Sequence, residues 1–122
     1  MNKWQAINSF WNGFDIPAYD ENSIPDDVEL PYISYSAQTG SLDDTLLITA
    51  SIFDRSMSWK FASDKADEIA EYVGRFVVLP LDKGYLWLTP GSPFAQRMSD
   101  NIYNDTIKRI YIVLNGEFLT NY

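Results

Sequence analysis

Apolar residues recur at helical spacing at the start of the chain. Trp4, Ile7, Trp11 and Phe14 follow one another at intervals of three and four residues, which places their side chains on one face of an α-helix. Gly13 is a suitable residue for ending such a helix. The sequence therefore predicts a short amphipathic helix that packs on a larger element.

The pattern then changes from helical to extended. Residues 15–31 contain three prolines and six acids, which predicts an ordered surface loop because proline disfavours both helix interiors and central strands. Residues 32–37 and 45–53 have the composition and alternation of strands, and residues 38–44 between them are rich in turn formers. These segments predict an antiparallel hairpin, and the apolar face of its second strand would carry Leu46, Ile48, Ala50 and Ile52.

A longer helical pattern begins near residues 56–58 and ends at Gly74. Its first turn could be capped by a serine or by Asp54. The predicted apolar face consists of Trp59, Ala62, Ala66, Ile69, Ala70 and Val73. The predicted solvent-facing residues are Lys65, Asp67, Glu68 and Glu71.

The last part of the chain is predicted to be mainly extended. Residues 76–80 and 85–88 are short strand candidates, residues 89–106 are predicted to form a loop, and residues 107–114 alternate as a strand. At 122 residues the chain fits a single domain, residues 1–122. We predict an α+β fold in which helices pack on one face of a mostly antiparallel sheet of about four to five strands.

Charge is distributed unevenly along the chain. Residues 1–54 contain nine acids and one base, Lys3, whereas residues 55–122 contain eight of each, so the first half supplies the whole net charge of −8. This half would repel a phosphate backbone, which argues against a nucleic-acid-binding protein. The simplest interpretation of the acidic stretch is a solvated loop that keeps the protein soluble.

Residues for catalysis or metal binding are scarce. The chain has no cysteine and no histidine, so thiolate chemistry, cysteine zinc sites and the commonest general base are absent. Adjacent acids such as Asp20 and Glu21 point in different directions on an extended chain and need a distant partner. A calcium loop starting at Asp20 would place Ile24 and Pro25 where that motif needs a ligand and a glycine. We therefore expect no enzymatic activity, no cofactor and no bound metal.

The sequence contains no apolar run long enough for a membrane helix and no secretory signal pattern. We therefore expect a soluble protein that works where it is made.

Aromatic residues make up 16% of the chain, which is more than a small core needs, and protein interfaces favour aromatic residues. The four tryptophans are expected in the core. As candidates for a subunit interface we select four tyrosines of the first strand and the loops: Tyr19, Tyr32, Tyr35 and Tyr85.

The sequence of residues 10–75 resembles those of small morphogenesis proteins of long-tailed phages of Gram-positive bacteria. The resemblance lies in Phe10-Trp11, Ile16-Pro17-Ala18-Tyr19-Asp20-Glu21-Asn22, Ile24-Pro25-Asp26-Asp27, Pro31-Tyr32-Ile33-Ser34-Tyr35, the run from Leu47 to Trp59, and Lys65-Ala66-Asp67-Glu68-Ile69. Members of this family are described as minor capsid, head–tail joining or tail terminator proteins. The resemblance covers about two thirds of the chain and includes no catalytic signature.

The resemblance implies a ring of α+β subunits, hexameric in tail terminators, that ends the tail tube and faces the head connector. It implies as partners further copies of the chain, the tail tube protein and the head–tail connector proteins, and as location the virion neck, after assembly in the host cytoplasm. DNA would pass through the lumen without specific binding. Candidates for the lumen or a partner surface are the acids Asp20, Glu21, Asp26, Asp27, Glu29, Asp43 and Asp44.

Two alternatives remain open from the sequence. One is a head-side connector or stopper protein of the neck, because residues 76–122 resemble the family only loosely. The other is a small acidic inhibitor that mimics nucleic acid, which would be a monomer or dimer that binds a basic partner.

Overall fold

The computed structural model describes residues 2–39, 45–98 and 106–119. Its helices are α1 (Lys3–Trp11), a 3₁₀ turn (Asn12–Phe14) and α2 (Lys60–Val73). Its strands are β1 (Ala18–Asp20), β2 (Tyr32–Thr39), β3 (Thr45–Arg55), β4 (Val77–Leu81), β5 (Gly84–Met98) and β6 (Ile107–Leu119). Helices and sheet together give an α+β architecture.

The strands form one mixed sheet with the order β1-β2-β3-β6-β5-β4. Among the strands that the structure describes, the β1–β2 pair is parallel and the other neighbouring pairs are antiparallel. Within the described residues the sheet has six strands, so the prediction of four to five was too low. The missed strand is β1, which lies inside the predicted loop 15–31. Prolines allow it because it is short and forms the edge of the sheet.

β5 is much longer than the sequence indicated. Residues 89–98 belong to this strand, although residues 89–106 were predicted to form a loop. The register against β6 shifts between Pro90 and Ala95, and such a bulge accommodates the prolines that would interrupt a regular ladder. β6 likewise continues to Leu119, beyond the predicted residues 107–114.

The core lies on one face of the sheet. The apolar residues predicted for β3 are all buried, and three of them, Ile48, Ala50 and Ile52, lie opposite Leu114, Ile112 and Ile110 of β6. The same cluster includes Ile7, Phe10 and Trp11 of α1 and Ala62, Ala66, Ile69 and Val73 of α2. The two helices of the described residues thus pack on one face of the sheet, and no described helix covers the other face, which we call the open face.

Three details of the helices differ from the prediction. Trp4 is 50% exposed, so it does not lie on the buried face of α1. Lys65 is buried and its ammonium group donates a 2.7 Å hydrogen bond to the carbonyl oxygen of Phe14. α2 begins at Lys60, whose backbone N–H donates to the hydroxyl of Ser58, and Asp54 is not its cap.

Candidate assembly surfaces

The acidic candidates lie in the connection between β1 and β2, at one edge of the sheet. Asp20 ends β1, and Glu21, Asp26, Asp27 and Glu29 follow it with exposed side chains. Within the part of the chain that the structure describes, none of these five carboxylates forms an ion pair. The remaining candidates, Asp43 and Asp44, fall outside the described residues. The described acids therefore form one unneutralised flank, which we call the acidic flank, residues 20–29.

The backbone of β1 is protected on its outer side by its own chain. The side chain of Asn12 accepts a 3.0 Å hydrogen bond from the N–H of Ala18 and donates a 3.2 Å bond to its carbonyl oxygen. The carbonyl oxygen of Asp20 accepts from the N–H of Ser23 at 2.9 Å. These bonds occupy the groups that an added strand would need. No sequence signal marked Asn12 for this role.

Two of the candidate tyrosines begin an aromatic row on the open face of the sheet. The ring centroids of Tyr19 and Tyr32 lie 6.2 Å apart, and those of Tyr32 and Phe53 lie 5.1 Å apart in a stacked arrangement. Burial raises the pKa of the Tyr32 phenol above 10.0, and the positive charge of Arg109 partly offsets this increase. The row is thus a half-buried aromatic surface.

Arg109 extends the row onto β6. Its guanidinium lies 5.5 Å from the ring centroid of Phe53 and 5.8 Å from that of Tyr111. Its Nε donates a 2.9 Å hydrogen bond to the hydroxyl of Ser51. These contacts hold the guanidinium against the open face. The sequence reasoning missed Phe53 and Arg109, although the alternation of β3 and β6 places both on the face opposite the core.

Tyr35 does not lie on this surface. It is only 7% exposed, and its hydroxyl accepts a 2.7 Å hydrogen bond from the side-chain amide of Asn8. Tyr32 and Tyr35 are three positions apart in one strand, and residues an odd number of positions apart face opposite sides of the sheet. The selection of Tyr35 as an interface residue is corrected accordingly: it belongs to the core and tethers α1 to β2.

Tyr85 lies in a second aromatic patch, at the β4–β5 end of the sheet. The rings of Phe76 and Trp87 stack with centroids 4.7 Å apart and planes 10° apart. Phe76, Tyr85 and Trp87 are each at least a third exposed. Trp87 therefore departs from the expectation that all tryptophans are buried. The patch presents a flat apolar surface of the kind found in interfaces.

Apart from these surfaces, the described residues form a small cleft. A cleft of about 210 Å³ between α1, α2 and β4 is lined by neutral side chains, among them Ser9, Phe10, Tyr72 and Pro80. Across residues 2–39, 45–98 and 106–119, no three acids come together in a way that would hold a metal ion. The same residues contain no helix of the length and apolarity required to cross a bilayer.

No protein-family model matches the chain, and no curated protein matches its sequence. A functional proposal therefore rests on the surfaces described above and on the resemblance of residues 10–75.

Proposed function

We propose that the chain is a non-enzymatic structural subunit of a tailed bacteriophage, a tail terminator that closes the tail tube and joins it to the head as a hexameric ring. The observation that carries the proposal is the separation of unlike surfaces on one small domain. The acidic flank, residues 20–29, occupies one edge, whereas aromatic and arginine side chains occupy the open face and the β4–β5 end.

Unlike surfaces favour a ring over a twofold dimer. In a heterologous contact, one patch of each copy meets a different patch of the next copy. Such contacts close into a ring when the rotation from one copy to the next is a whole fraction of a full turn. A subunit with an acidic edge and aromatic surfaces elsewhere has such a pair of patches. The resemblance to tail terminators supplies the expected number of six copies.

The acidic flank would then have a role in the lumen. Six copies with a net charge of −8 each would surround the DNA path with a negative wall, which repels phosphates and lets a genome slide without sticking. In this proposal the tail tube protein and the head–tail connector proteins bind the two faces of the ring in the virion neck, and DNA passes without specific contacts.

The decisive experiment combines purified protein with purified tail tubes. We expect rings in negative-stain images, a solution mass of six chains, and rings bound at tube ends. A protein that stays monomeric at every concentration and binds neither tail tubes nor portal complexes would contradict the proposal. Twelvefold rings that bind only portal complexes would indicate a head-side connector, and a dimer that binds basic proteins would indicate the inhibitor class.

The lumen role has its own test. Phage carrying D26N and D27N should assemble intact necks but eject DNA more slowly, because uncharged amides no longer repel the phosphates. Adding D43N and D44N should enlarge the delay. Ejection at the normal rate by the fourfold variant would refute the lumen role.

A matched control separates position from total charge. Asp67 and Glu71 are exposed acids on α2, so D67N with E71Q removes the same charge as D26N with D27N at a different place. We expect normal ejection from this control. An equal delay in both variants would mean that overall charge, and not the acidic flank, governs DNA passage.

A further inference from the structure

A tryptophan at the start of α2 contacts two cationic side chains. The guanidinium carbon of Arg97 lies 4.9 Å from the ring centroid of Trp59, and the ammonium nitrogen of Lys108 lies 5.6 Å from a ring centroid of the same residue. Both distances are within the range of cation–π contacts. We call Trp59, Arg97 and Lys108 the cationic cluster.

The strand registers bring the two cations to Trp59. Arg97 lies opposite Ile110 in the β5–β6 pair, and Lys108 is two residues before Ile110 in β6. Both side chains therefore lie on the same face as the buried Ile110, the face that carries the helices. α2 begins directly after Trp59, and its first turn contains no acid. The positive end of the helix dipole thus adds to the positive potential at the cluster.

Arg97 is the member of the cationic cluster that can receive a partner. Its side chain is exposed and forms no ion pair among the described residues, although Asp67 lines the same depression of about 170 Å³. β4 pairs only with residues 84–88 of β5, so no described strand covers the outer side of β5 at Arg97. A guanidinium on a ring still has N–H donors for a carboxylate, because it has five of them. The ring contact also restricts its rotamers before binding, which lowers the entropy cost.

The opposite side of the molecule carries a carboxylate at the same end of the strands. One row of paired residues crosses β2, β3, β6 and β5: Tyr32, Phe53, Arg109 and Met98. Glu29 is three residues before the β2 end of this row, and Arg97 is one residue before its β5 end. Glu29 belongs to the acidic flank, is exposed, and forms no ion pair among the described residues.

Opposite charges on opposite sides of one molecule favour a head-to-tail contact. When two copies lie side by side in the same orientation, the β5 side of one copy adjoins the β1 side of the next. Both charged groups then lie at the same end of the strands. We infer that the cationic cluster of each copy binds the acidic flank of the next copy, with Arg97 paired to Glu29. The inference rests on the proposed function, since it names the contact between unlike patches that closes the ring.

The contact leaves part of the acidic flank for the lumen. Asp26 and Asp27 are exposed on a turn that is closed by a 3.2 Å hydrogen bond from the N–H of Val28 to the carbonyl oxygen of Pro25. Glu29 follows this turn, nearer to β2 along the chain. Ring closure would depend on Glu29 and DNA passage on Asp26 and Asp27, so separate variants distinguish the two roles.

Charge reversal tests the contact. R97E should raise the protein concentration at which half of the chains are in rings by about tenfold, because a repulsion replaces an attraction at every contact. E29R should have a similar effect. The double variant R97E/E29R should return this concentration to within about threefold of the natural value, since the pair is restored with its signs exchanged. Solution mass across a concentration series measures all three.

Two controls separate the contact from total charge. Arg75 is an exposed arginine just after α2, so R75E changes the net charge by the same amount as R97E and should assemble like the natural protein. R97E/E71R has the same net charge as R97E/E29R, yet it should stay impaired, because Glu71 lies on α2 and not in the acidic flank. Circular dichroism and thermal unfolding establish that each variant is folded.

The outcomes distinguish this contact from the ring itself. Normal rings in both R97E and E29R would overturn the contact and leave the ring standing. Equal impairment in R97E and R75E, or no recovery in R97E/E29R, would also overturn it. R97E rings that form normally but no longer bind tail tubes would assign the cationic cluster to the tube protein instead. A natural protein that remains monomeric would remove both the contact and the proposed function.

Discussion

Lys65 offers a quantitative test of how the helices are joined to the rest of the fold. Its side chain is 10% exposed, and its ammonium group donates a 2.7 Å hydrogen bond to the carbonyl oxygen of Phe14 and a 3.1 Å bond to Glu68. It also lies 5.7 Å from the ring centroid of Phe61. In K65M the carbonyl oxygen of Phe14 would lose this donor, while the methionine would fill much of the space.

The expected loss follows from these contacts. A hydrogen bond from a charged donor to a buried carbonyl contributes about 1.5–3 kcal/mol. The carboxylate of Glu68 is 46% exposed, so its ion pair adds less than about 1 kcal/mol because water screens it. We expect K65M to lower the free energy of unfolding by about 2 kcal/mol, which corresponds to about 6–10 °C in Tm for a chain of this size.

Urea and thermal unfolding of K65M and K60M would measure this effect. The Lys60 ammonium pairs with Asp64 at the surface, with side chains 80% and 63% exposed, so K60M should unfold like the natural protein. If K65M is as stable as K60M, the hydrogen bond from Lys65 to Phe14 does not contribute the expected free energy.

Three further changes test other parts of the structure. In G91A the added methyl would lie 2.7 Å from a side-chain carbon of Val113 on β6, so the free energy of unfolding should fall by about 1–3 kcal/mol. In the control G13A the added methyl meets no atom within 4 Å, so urea unfolding should show no such loss. Burial raises the folded-state pKa of Tyr32 above 10.0, so its contribution to stability is present below about pH 10 and is lost as the pH rises through the raised value. Y32F should therefore lose less stability in alkaline thermal unfolding, and an unchanged profile would contradict this. N12A removes both hydrogen bonds to Ala18 and should destabilise the fold by about 1–2 kcal/mol. It should also add association through the opened β1 edge in light scattering, and unchanged stability would show that this cap is dispensable.

Tyr32 and Tyr35 show how far the candidate surface was accessible from the sequence. Both were selected as interface tyrosines, yet only Tyr32 lies on the open face. The alternation of β2 was sufficient to separate them, since residues an odd number apart face opposite sides. The row from Tyr32 through Phe53 to Arg109 needed more, because it crosses three strands whose register comes from long-range pairing.

The periodicity of apolar residues by itself determined the main elements. It located both helices, the β2–β3 hairpin and β6, and it identified the buried faces of β3 and most of α2, because a local repeat decides which side chains share a face. The charge asymmetry was equally visible, since it depends on composition alone.

Only the tertiary structure decided the features that depend on partners distant along the chain. β1 exists because β2 and the side chain of Asn12 satisfy its backbone, and β5 continues through two prolines because a bulge against β6 accommodates them. Lys65 is buried because its acceptor lies 51 residues away in the sequence. Where β1 and β4 stop along their neighbouring strands likewise depends on long-range pairing, which can be recognised only once all the strands are placed.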